Sequence, residues 1–277
     1  MTLEQQRIGF IGAGNMAQAL IGGLIGRGVA AERIRAIEPY AQTRDAVQAK
    51  YGIVVDEVAS DALGACSVIV LAVKPQVMRA VATEIAPHLQ RGARAPLIVS
   101  VAAGIRARDL GRWLDTDRVV RVMPNTPALV GAGITGMAAL PGATADDRAL
   151  AEAMLRAVGE VVWVDDEAKL DGVTALSGSG PAYVFLFIEA MQEAAARLGF
   201  TPEQGRQLAV ATFAGAAKLA AQSSEPASVL RERVTSKGGT TYAALTTMGE
   251  RGVKEAIVDG VLAAAARSVE LGDEFGR

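Results

Sequence analysis

RIGFIGAGNMAQALIGGLIGRG, residues 7–28, is the stretch that decides the fold. Its apolar run Ile8–Ile11 has the composition of a strand, and the small, apolar residues after the turn are typical of a helix. The junction reads G-x-G-x-x-A: Gly12 allows a sharp turn, Gly14 a close backbone approach to a diphosphate, and Ala17 a helix close to the strand. The helix start would offer free N–H groups to phosphate oxygens. The stretch therefore predicts a dinucleotide site, although the same glycines in isolation would indicate only a turn.

Composition narrows the class of protein. The chain has 277 residues, enough for one large domain or two ordinary ones, and its 51% hydrophobic but 4% aromatic content predicts a core of Ala, Val, Leu and Ile. The net charge of -2 is not typical of a protein that binds nucleic acid or an anionic membrane. The apolar runs are short of a membrane span and no basic-then-apolar leader opens the chain, so we expect no membrane partner.

Cysteine and histidine are scarce. The single cysteine, Cys66, excludes an internal disulfide and fits a reducing compartment, so we expect a cytoplasmic protein. It stands just before an apolar run, which favours a buried small residue over a reactive thiol. His88, the single histidine, follows Pro87 near a predicted helix end, and we expect it at the surface. Without a His, Cys or carboxylate cluster at metal-binding spacing, we expect no metal site.

Strand and helix patterns alternate through the first part of the chain. Strands are predicted at 7–11, 33–37, 53–55, 67–73, 96–101, 118–123, 134–140 and 160–164, with a helix beginning near Ala145. Alternation of this kind predicts a parallel sheet with helices on both faces. We therefore expect an α/β fold: a Rossmann-like, doubly wound sheet domain over residues 1–164, and a second domain over 165–277.

The second domain shows no convincing strand. Its helices are predicted at 181–198, 202–221, 241–249 and 253–271. The segment 182–188, AYVFLFI, is apolar on every side, which is typical of a helix buried all round. So few residues cannot easily cover it, and alanine-rich faces favour close helix approach. We expect an all-α dimerisation domain that pairs with its copy; the alternative is an ordinary monomeric helical domain.

Two loops follow predicted sheet strands. Residues 71–76, LAVKPQ, should face a bound nicotinamide, because ligands of doubly wound sheets lie at the carboxyl ends of the strands. There Lys74 could reach a ribose hydroxyl or phosphate, or it is simply a solvated lysine at a helix start. In residues 122–127, VMPNTP, two prolines fix the backbone around Asn125, which offers both a donor and an acceptor; a rigid loop without a binding role is the alternative.

Two polar clusters lie in the predicted helical domain. Residues 235–241, TSKGGTT, lead into a helix, and hydroxyls with a Gly-Gly pair there suit a substrate carboxylate. The alternative is a flexible loop in which Thr240 or Thr241 caps the helix. Residues 176–181, LSGSGP, precede the apolar helix, where Pro181 suits a first turn and the glycines suit close packing.

The inventory of side chains also constrains the reaction. The only histidine is poorly placed for a general base, and no Ser-His-Asp or Cys-His set exists. A hydride transfer that needs no strong acid or base suits such a chain. Reduction of an imine is one, because the protonated C=N carbon is already electrophilic and a hydroxyl needs only to orient the nitrogen.

Taken together, these loops resemble the pyrroline-5-carboxylate reductase family. The resemblance extends in the family's order over roughly residues 7–270, and it is carried by IGFIGAGNMA, VIVLAVKPQ, VSVAAG, RVMPNTPALVGAG, ALSGSGPAYVF and VTSKGGTTYAAL. SGSGPAY combined with SKGGTT is highly specific, whereas related beta-hydroxyacid dehydrogenases share only the first domain.

The resemblance implies a Rossmann domain followed by an interlocking helical domain, with dimers that often assemble into rings. It implies hydride transfer from NAD(P)H to the imine carbon of L-1-pyrroline-5-carboxylate, giving L-proline. Carried onto this chain, Thr241 would bond the imine nitrogen, while Ser236 and the backbone of Gly239 and Thr240 would hold the carboxylate. The cofactor residues it implies are, for the diphosphate, Gly12, Gly14, Asn15 and Met16, and, along the nicotinamide ribose, Ala72, Lys74, Pro75 and Asn125.

One residue departs from what an NADPH enzyme favours. Glu38 ends the second strand, where an acid commonly binds the ribose 2′-hydroxyl of NADH and would repel a 2′-phosphate. Arg35 and Arg44 lie close enough in sequence to offset it. The family mostly favours NADPH, so we expect NADPH with NADH as a possible substitute. Competing hypotheses are a different imine or beta-hydroxyacid oxidoreductase, and a nicotinamide sensor that binds without turnover.

Overall fold

The structure, a computed structural model, describes residues 2–89 and 95–276. Its chain forms two compact units. The sheet unit contains the residues up to Ser179 together with those from Ala264 onward, and the helical unit is Gly180–Ala263. The domain boundary at 164/165 stays a prediction.

The elements alternate as the sequence predicts. The strands are β1 (Ile8–Ile11), β2 (Ile34–Ile37), β3 (Val54–Asp56), β4 (Val68–Leu71), β5 (Leu97–Ser100), β6 (Val119–Met123), β7 (Gly133–Ala139) and β8 (Gly159–Trp163). The helices are α1 (Asn15–Gly26), α2 (Ala41–Tyr51), α3 (Pro75–Leu89), α4 (Ala107–Leu114), α5 (Ala145–Leu155), α6 (Lys169–Val173), α7 (Gly180–Arg197), α8 (Pro202–Gln222), α9 (Ala227–Arg233), α10 (Thr240–Glu250) and α11 (Val253–Phe275). Neither α6 nor α9 was predicted.

All eight strands form one sheet in the order β3-β2-β1-β4-β5-β6-β7-β8. The order reverses between β1 and β4, which is the point where doubly wound sheets bind their ligands. The doubly wound prediction is confirmed, with one difference in strand direction. β7 runs antiparallel to β6, and the nine residues 124–132 that join the two strands are fewer than the dozen or more that a parallel crossover needs.

Both faces of the sheet are buried. Ile8 and Phe10 of β1 point into one apolar cluster, whereas Ile11 belongs to the cluster on the other face. Successive strand residues alternate between faces, so a strand apolar at nearly every position is a strand covered on both sides. Cys66, 7% exposed, lies in the second cluster, which confirms its prediction as a buried small residue.

The last part of α11 belongs to the sheet unit. The Ser268 hydroxyl donates to the Asp171 carboxylate, with 2.7 Å from Oγ to Oδ1. Arg106, just before α4, pairs with Asp273, and the Arg112 guanidinium donates to the carbonyl of Gly276 at 3.0 Å. The chain therefore returns to the sheet unit after the helical unit is complete.

The helical unit packs closely between α7 and α8. A Cβ on Gly205 would lie 3.0 Å from the Cβ of Ala195, so glycine allows the two helices to approach. Yet α7 leaves large apolar side chains exposed, including Phe185 (60%) and Leu186 (64%). The single chain therefore does not cover residues 182–188, as the sequence analysis expected, and their burial against a second copy stays a prediction.

One helical stretch of the described chain, Lys169–Arg197, is long and apolar enough to cross a membrane, judged by length and composition. An 18-residue window of this stretch has a mean hydropathy of 1.2, and 6% of that window is buried. It contains the exposed apolar face of α7.

Candidate active site

The glycine-rich turn after β1 lies at the switch point of the sheet. Gly12 has φ of 92°, a conformation that favours glycine, and its N–H donates to the carbonyl of Ile37 at 2.8 Å. A Cβ on Gly12 would stand 2.8 Å from the carbonyl oxygen of Ala72. The turn therefore requires glycine here for the protein's own packing.

Gly14 is different, because its conformation (φ -70°, ψ -175°) is open to any residue. A Cβ there would meet no described protein atom within 4 Å. Gly14 and Asn15 are exposed and Met16 is partly exposed. Since α1 begins at Asn15 without a side-chain cap, its first N–H groups face open space, where a diphosphate fits.

Glu38 braces the glycine turn from behind. Its carboxylate is buried at 7% exposure; Oε2 accepts from the N–H of Ala13 at 3.0 Å, and Oε1 accepts from the N–H of Tyr40 at 3.1 Å. The sequence suggested a ribose ligand at this position, and that role stays a prediction. What the structure adds is a carboxylate that orients the turn by accepting one of its N–H groups.

The two arginines near Glu38 have other partners. The Arg44 guanidinium donates to the carbonyls of Glu38 at 3.0 Å and Pro39 at 2.7 Å, so it holds the loop backbone. Arg35 lies 3.8 Å from the carboxylate of Asp56. Neither guanidinium contacts the Glu38 carboxylate.

The loop after β4 lies beside the glycine turn. The N–H of Ala72 donates to the carbonyl of Ile11 at 2.8 Å, and α3 begins at Pro75, a residue suited to a first helical position. Lys74 between them is exposed, and its ammonium has no partner among the residues that the structure describes. It is therefore available to a ligand.

Asn125, after β6, is buried and bonded within the protein. Its Oδ1 accepts from the N–H of Ile134 at 2.9 Å, and its Nδ2 donates to the carbonyl of Ser177 at 3.1 Å. It thus joins the loop after β6 to β7 and to the turn Thr174–Gly178. Its place along the nicotinamide ribose stays a prediction.

Thr174–Gly178 is a single π-helical turn that the sequence reasoning missed. It overlaps the LSGSGP cluster at 176–178, a cluster interpreted from the sequence as a helix cap with packing glycines. A Cβ on Gly178 would lie 2.6 Å from the Cε of Met123, the end of a flexible side chain that would have to shift. Turns of this type often occur at functional sites, and the clustered serines and glycines were the available signal.

The turn before α10 lies in the helical unit. Gly238 has φ of 75°, and the N–H of Gly239 donates to the carbonyl of Ser236 at 2.9 Å. Gly239 precedes α10 without a side-chain hydrogen bond, so the alternative of a threonine cap does not hold. The first N–H groups of the helix have no intrahelical partner. The hydroxyls of Ser236, Thr240 and Thr241 likewise make no hydrogen bond to any described residue, so this turn can bind a carboxylate.

The candidate residues fall into two sets. The sheet unit holds the cofactor candidates, which follow the carboxyl ends of its strands: Gly12, Gly14, Asn15 and Met16 after β1, Glu38 after β2, Ala72, Lys74 and Pro75 after β4, and Asn125 after β6. The helical unit holds the substrate candidates, all within one turn: Ser236, Gly239, Thr240 and Thr241.

Two family models match the chain. Residues 167–271 match the model described as pyrroline-5-carboxylate reductase dimerisation. Residues 7–104 match the model described as NADP oxidoreductase, coenzyme F420-dependent. The first covers the turn before α10, and the second covers the glycine-rich turn.

Full-length relatives agree. A pyrroline-5-carboxylate reductase of Pseudomonas aeruginosa is 45% identical over 99% of this chain and 100% of its own. The solved structure of a pyrroline-5-carboxylate reductase from Coxiella burnetii is 38% identical and superposes with a TM-score of 0.87, covering 96% of this chain and 98% of its own. The NADP-bound pyrroline carboxylate reductase of Plasmodium falciparum is 27% identical, with a TM-score of 0.85 over 98% and 100%. The chain belongs to the pyrroline-5-carboxylate reductase family.

Proposed function

We propose that this chain reduces L-1-pyrroline-5-carboxylate to L-proline with NAD(P)H, the last step of proline synthesis. The family supports the reaction, and one observation carries its assignment to residues: the turn before α10 has free N–H groups and free hydroxyls side by side. The substrate has two polar features, a carboxylate and an imine nitrogen, and the turn offers donors for both.

Thr241 orients the imine in this proposal. Its hydroxyl donates to or accepts from the ring nitrogen, and Ser236 with the backbone of Gly239 and Thr240 binds the carboxylate. A threonine hydroxyl is a poor Brønsted acid at neutral pH, so its contribution is geometric. The positive end of α10 adds favourable electrostatics for a bound carboxylate.

The cofactor is bound by the sheet unit. When bound, the reduced nicotinamide supplies the hydride. Gly12, Gly14, Asn15 and Met16 hold the diphosphate through backbone N–H groups, which the open space beside Gly14 supports. Along the nicotinamide ribose we place Ala72, Lys74, Pro75 and Asn125; of these, the exposed Lys74 has a side chain without a partner in the described chain. Glu38 lies toward the adenosine ribose, with NADPH as the expected cofactor and NADH as a possible substitute.

The exposed face of α7 pairs with a second copy of the chain. The family model for dimerisation covers this helix, and a homodimer would bury side chains that one chain leaves in water. In this proposal the dimers can assemble further into a ring, as the family resemblance implies. This partner accounts for the apolar stretch Lys169–Arg197 without a membrane, and we place the enzyme in the cytoplasm. The start of the matched segment at residue 167 supports a domain boundary after residue 164.

The test is Thr241→Ala in a turnover assay. With pyrroline-5-carboxylate, loss of reduced-nicotinamide absorbance gives kcat/KM, and chiral analysis identifies L-proline. Losing one hydrogen bond to a charged group is worth about 1.5–3 kcal/mol, so kcat/KM should fall roughly ten- to a hundredfold.

The matched control is Thr247→Ala on the same helix. The Thr247 hydroxyl already donates to the carbonyl of Ala243 at 3.1 Å, so this variant should turn over at the wild-type rate. Thr241→Ser should retain most activity, because the hydroxyl remains. An unchanged kcat/KM in Thr241→Ala would remove the role given to Thr241, and absence of L-proline from the wild type would remove the proposed reaction.

A further inference from the structure

A basic pocket lies at the amino ends of β1, β2 and β4, the edge of the sheet opposite the glycine-rich turn. Its volume is about 280 Å³, and its lining includes Arg7, Arg33, Arg35, Glu32 and Cys66. We propose that this pocket binds a phosphate group, either as inorganic phosphate or on a small phosphorylated metabolite.

Positive charge in the pocket exceeds negative charge. Arg7 has no ion pair or side-chain hydrogen bond with any residue that the structure describes. Arg33 donates to a neutral group, the carbonyl of Gln5, at 2.9 Å. The carboxylate nearest Arg35 is that of Asp56, at 3.8 Å. Three guanidinium groups therefore face a cavity that contributes one carboxylate, Glu32.

A second arginine-lined pocket of the same unit shows the opposite arrangement. Arg106 pairs there with Asp273, and Arg112 pairs with Asp109 at 3.1 Å. These carboxylates pair with two of the three arginines that line this pocket, and the third, Arg108, is exposed. In the pocket around Arg7, the described ion pair is the longer contact of Arg35 with Asp56 at 3.8 Å, which leaves Arg7 and Arg33 without a carboxylate partner among the described residues, so an anion from solution has donors to bind.

The floor of the basic pocket is neutral. Burial raises the pKa of the Cys66 thiol, although the positive charges of Arg35 and Arg7, which line the same pocket, act to lower it. The Sγ atom packs over β1, 3.2 Å from the position of a Cβ on Gly9. A thiol with a raised pKa is a poor nucleophile, so Cys66 here is a small wall residue.

Phosphate matches this set of donors. A guanidinium presents paired N–H donors that fit phosphate oxygens bidentately, and arginine retains its charge throughout the physiological range. The volume accommodates a phosphate with a short organic substituent. Arg35 precedes Glu38 by three strand positions, about 10 Å, so a ligand here would not overlap the cofactor turn.

Cys66 gives a direct readout, because it is the only cysteine of the chain. Its alkylation by the neutral reagent N-ethylmaleimide is followed in potassium phosphate and in potassium chloride of equal ionic strength. Saturating NADP⁺ keeps phosphate from the cofactor turn. Phosphate at ten times its dissociation constant should slow alkylation about tenfold, with saturation. Equal rates in the two salts would overturn the proposal.

Variants locate the effect. Arg7→Gln combined with Arg35→Gln should abolish the protection, whereas Arg108→Gln, an exposed arginine of the second pocket, should retain it. Protection that survives the double substitution would contradict the assignment.

Calorimetric titration of the NADP⁺-saturated enzyme provides a second measurement that does not depend on thiol access. Heat of binding for inorganic phosphate identifies the free ion as the ligand, and a much tighter signal with glycerol 3-phosphate identifies a phosphorylated metabolite. No saturable heat with either would refute the site. Because NADP⁺ binding and turnover are measured separately, this outcome leaves the proposed reductase activity untouched.

Discussion

The sheet unit and the helical unit treat their apolar residues in opposite ways. Every residue of β1 is buried within the chain, whereas the only buried residue of α7 is Ala195. One unit contains its own core, and the other leaves its apolar side chains on the surface. The sheet unit is therefore stabilised by a core within the single chain, whereas the helical unit leaves apolar surface that the proposed dimer would cover.

The two candidate binding turns repeat this contrast. The glycine-rich turn is held by Ile37, by the Glu38 carboxylate and by the close approach of Ala72. In the turn before α10, the described contacts join residues close in sequence: the N–H of Gly239 donates to the carbonyl of Ser236, and the Thr235 hydroxyl donates to the carbonyl of Arg231. Contacts from distant parts of the chain preorganise the glycine-rich turn, whereas the described contacts of the second turn come from within a few residues along the chain.

The largest expected effect tests the assembly. Leu186→Glu puts a charge on the exposed face of α7, and burying an uncompensated charge at an interface costs several kcal/mol. We expect dissociation and loss of activity, measured by light scattering after gel filtration and by turnover. Val58→Glu is the control, since Val58 of the sheet unit is 63% exposed and Leu186 is 64% exposed. If Leu186→Glu had the same molar mass in solution as the wild type, the exposed face of α7 would not be the assembly surface.

The next effect separates two glycines of one turn. Gly12→Ala forces a positive φ on alanine and a Cβ against the carbonyl of Ala72, so the free energy of unfolding should fall by about 2–3 kcal/mol. Gly14→Ala should leave it unchanged but weaken NADPH binding at least about tenfold, because its methyl group enters the proposed phosphate space. Denaturant titration and fluorescence binding measure the two. Equal stability loss in both variants would show that Gly14 also has a packing role.

Removal of a buried ion pair tests whether the sheet unit is stabilised by contacts within a single chain. The Arg118 guanidinium donates to the Asp147 carboxylate, from Nε to Oδ2 at 3.1 Å, and that carboxylate also accepts from the N–H of Thr144 at the start of α5. Asp147→Asn should lower the free energy of unfolding by up to about 3 kcal/mol, independent of protein concentration. Asp146→Asn, at the exposed neighbouring position, should change it by less than about 0.5 kcal/mol. If the loss of unfolding free energy depended on protein concentration, the ion pair would stabilise the assembly and not the single chain.

The Arg118–Asp147 pair should also make the stability of the protein depend on pH. Burial alone would raise the pKa of Asp147, but the hydrogen bonds from Arg118 and Thr144 lower it below its usual value. A carboxyl with a lowered pKa in the folded state stabilises the protein above the unfolded pKa of about 3.9, and this contribution is lost as the pH falls further. The stability difference between wild type and Asp147→Asn should therefore shrink below about pH 4. A constant difference down to pH 2 would contradict the charge-based explanation.

The smallest effect concerns Glu38 and the choice of cofactor. Glu38→Gln keeps an acceptor for the N–H of Ala13 but removes a negative charge, so kcat/KM for NADPH should rise relative to NADH. One charge contact partly screened by water is worth about 1 kcal/mol, or roughly fivefold. Steady-state kinetics with both cofactors measures the ratio. An unchanged ratio would confine Glu38 to bracing the turn.

Local patterns predicted much of this molecule. Period and composition located every strand of the sheet, because strands buried on both faces are continuous apolar runs, and the G-x-G-x-x-A turn located the glycine bend. What escaped depends on distant partners. The hydrogen bonds of the Asn125 amide with Ile134 and Ser177 could not be predicted, because nothing near residue 125 indicates residue 177. The antiparallel β7 likewise follows from a connection length, which composition does not report.

The return of α11 to the sheet unit determines how the protein can be truncated. Ser268 and Asp273 come last in translation, yet they bind Asp171 and Arg106, which were made much earlier. A protein truncated after Ser179 would lack these partners, so the cofactor half cannot be obtained intact by deleting everything downstream. In the chain, the helical unit is an insertion between Ser179 and Ala264. To obtain the sheet unit alone, residues 180–263 should be replaced by a linker that joins Ser179 to Ala264.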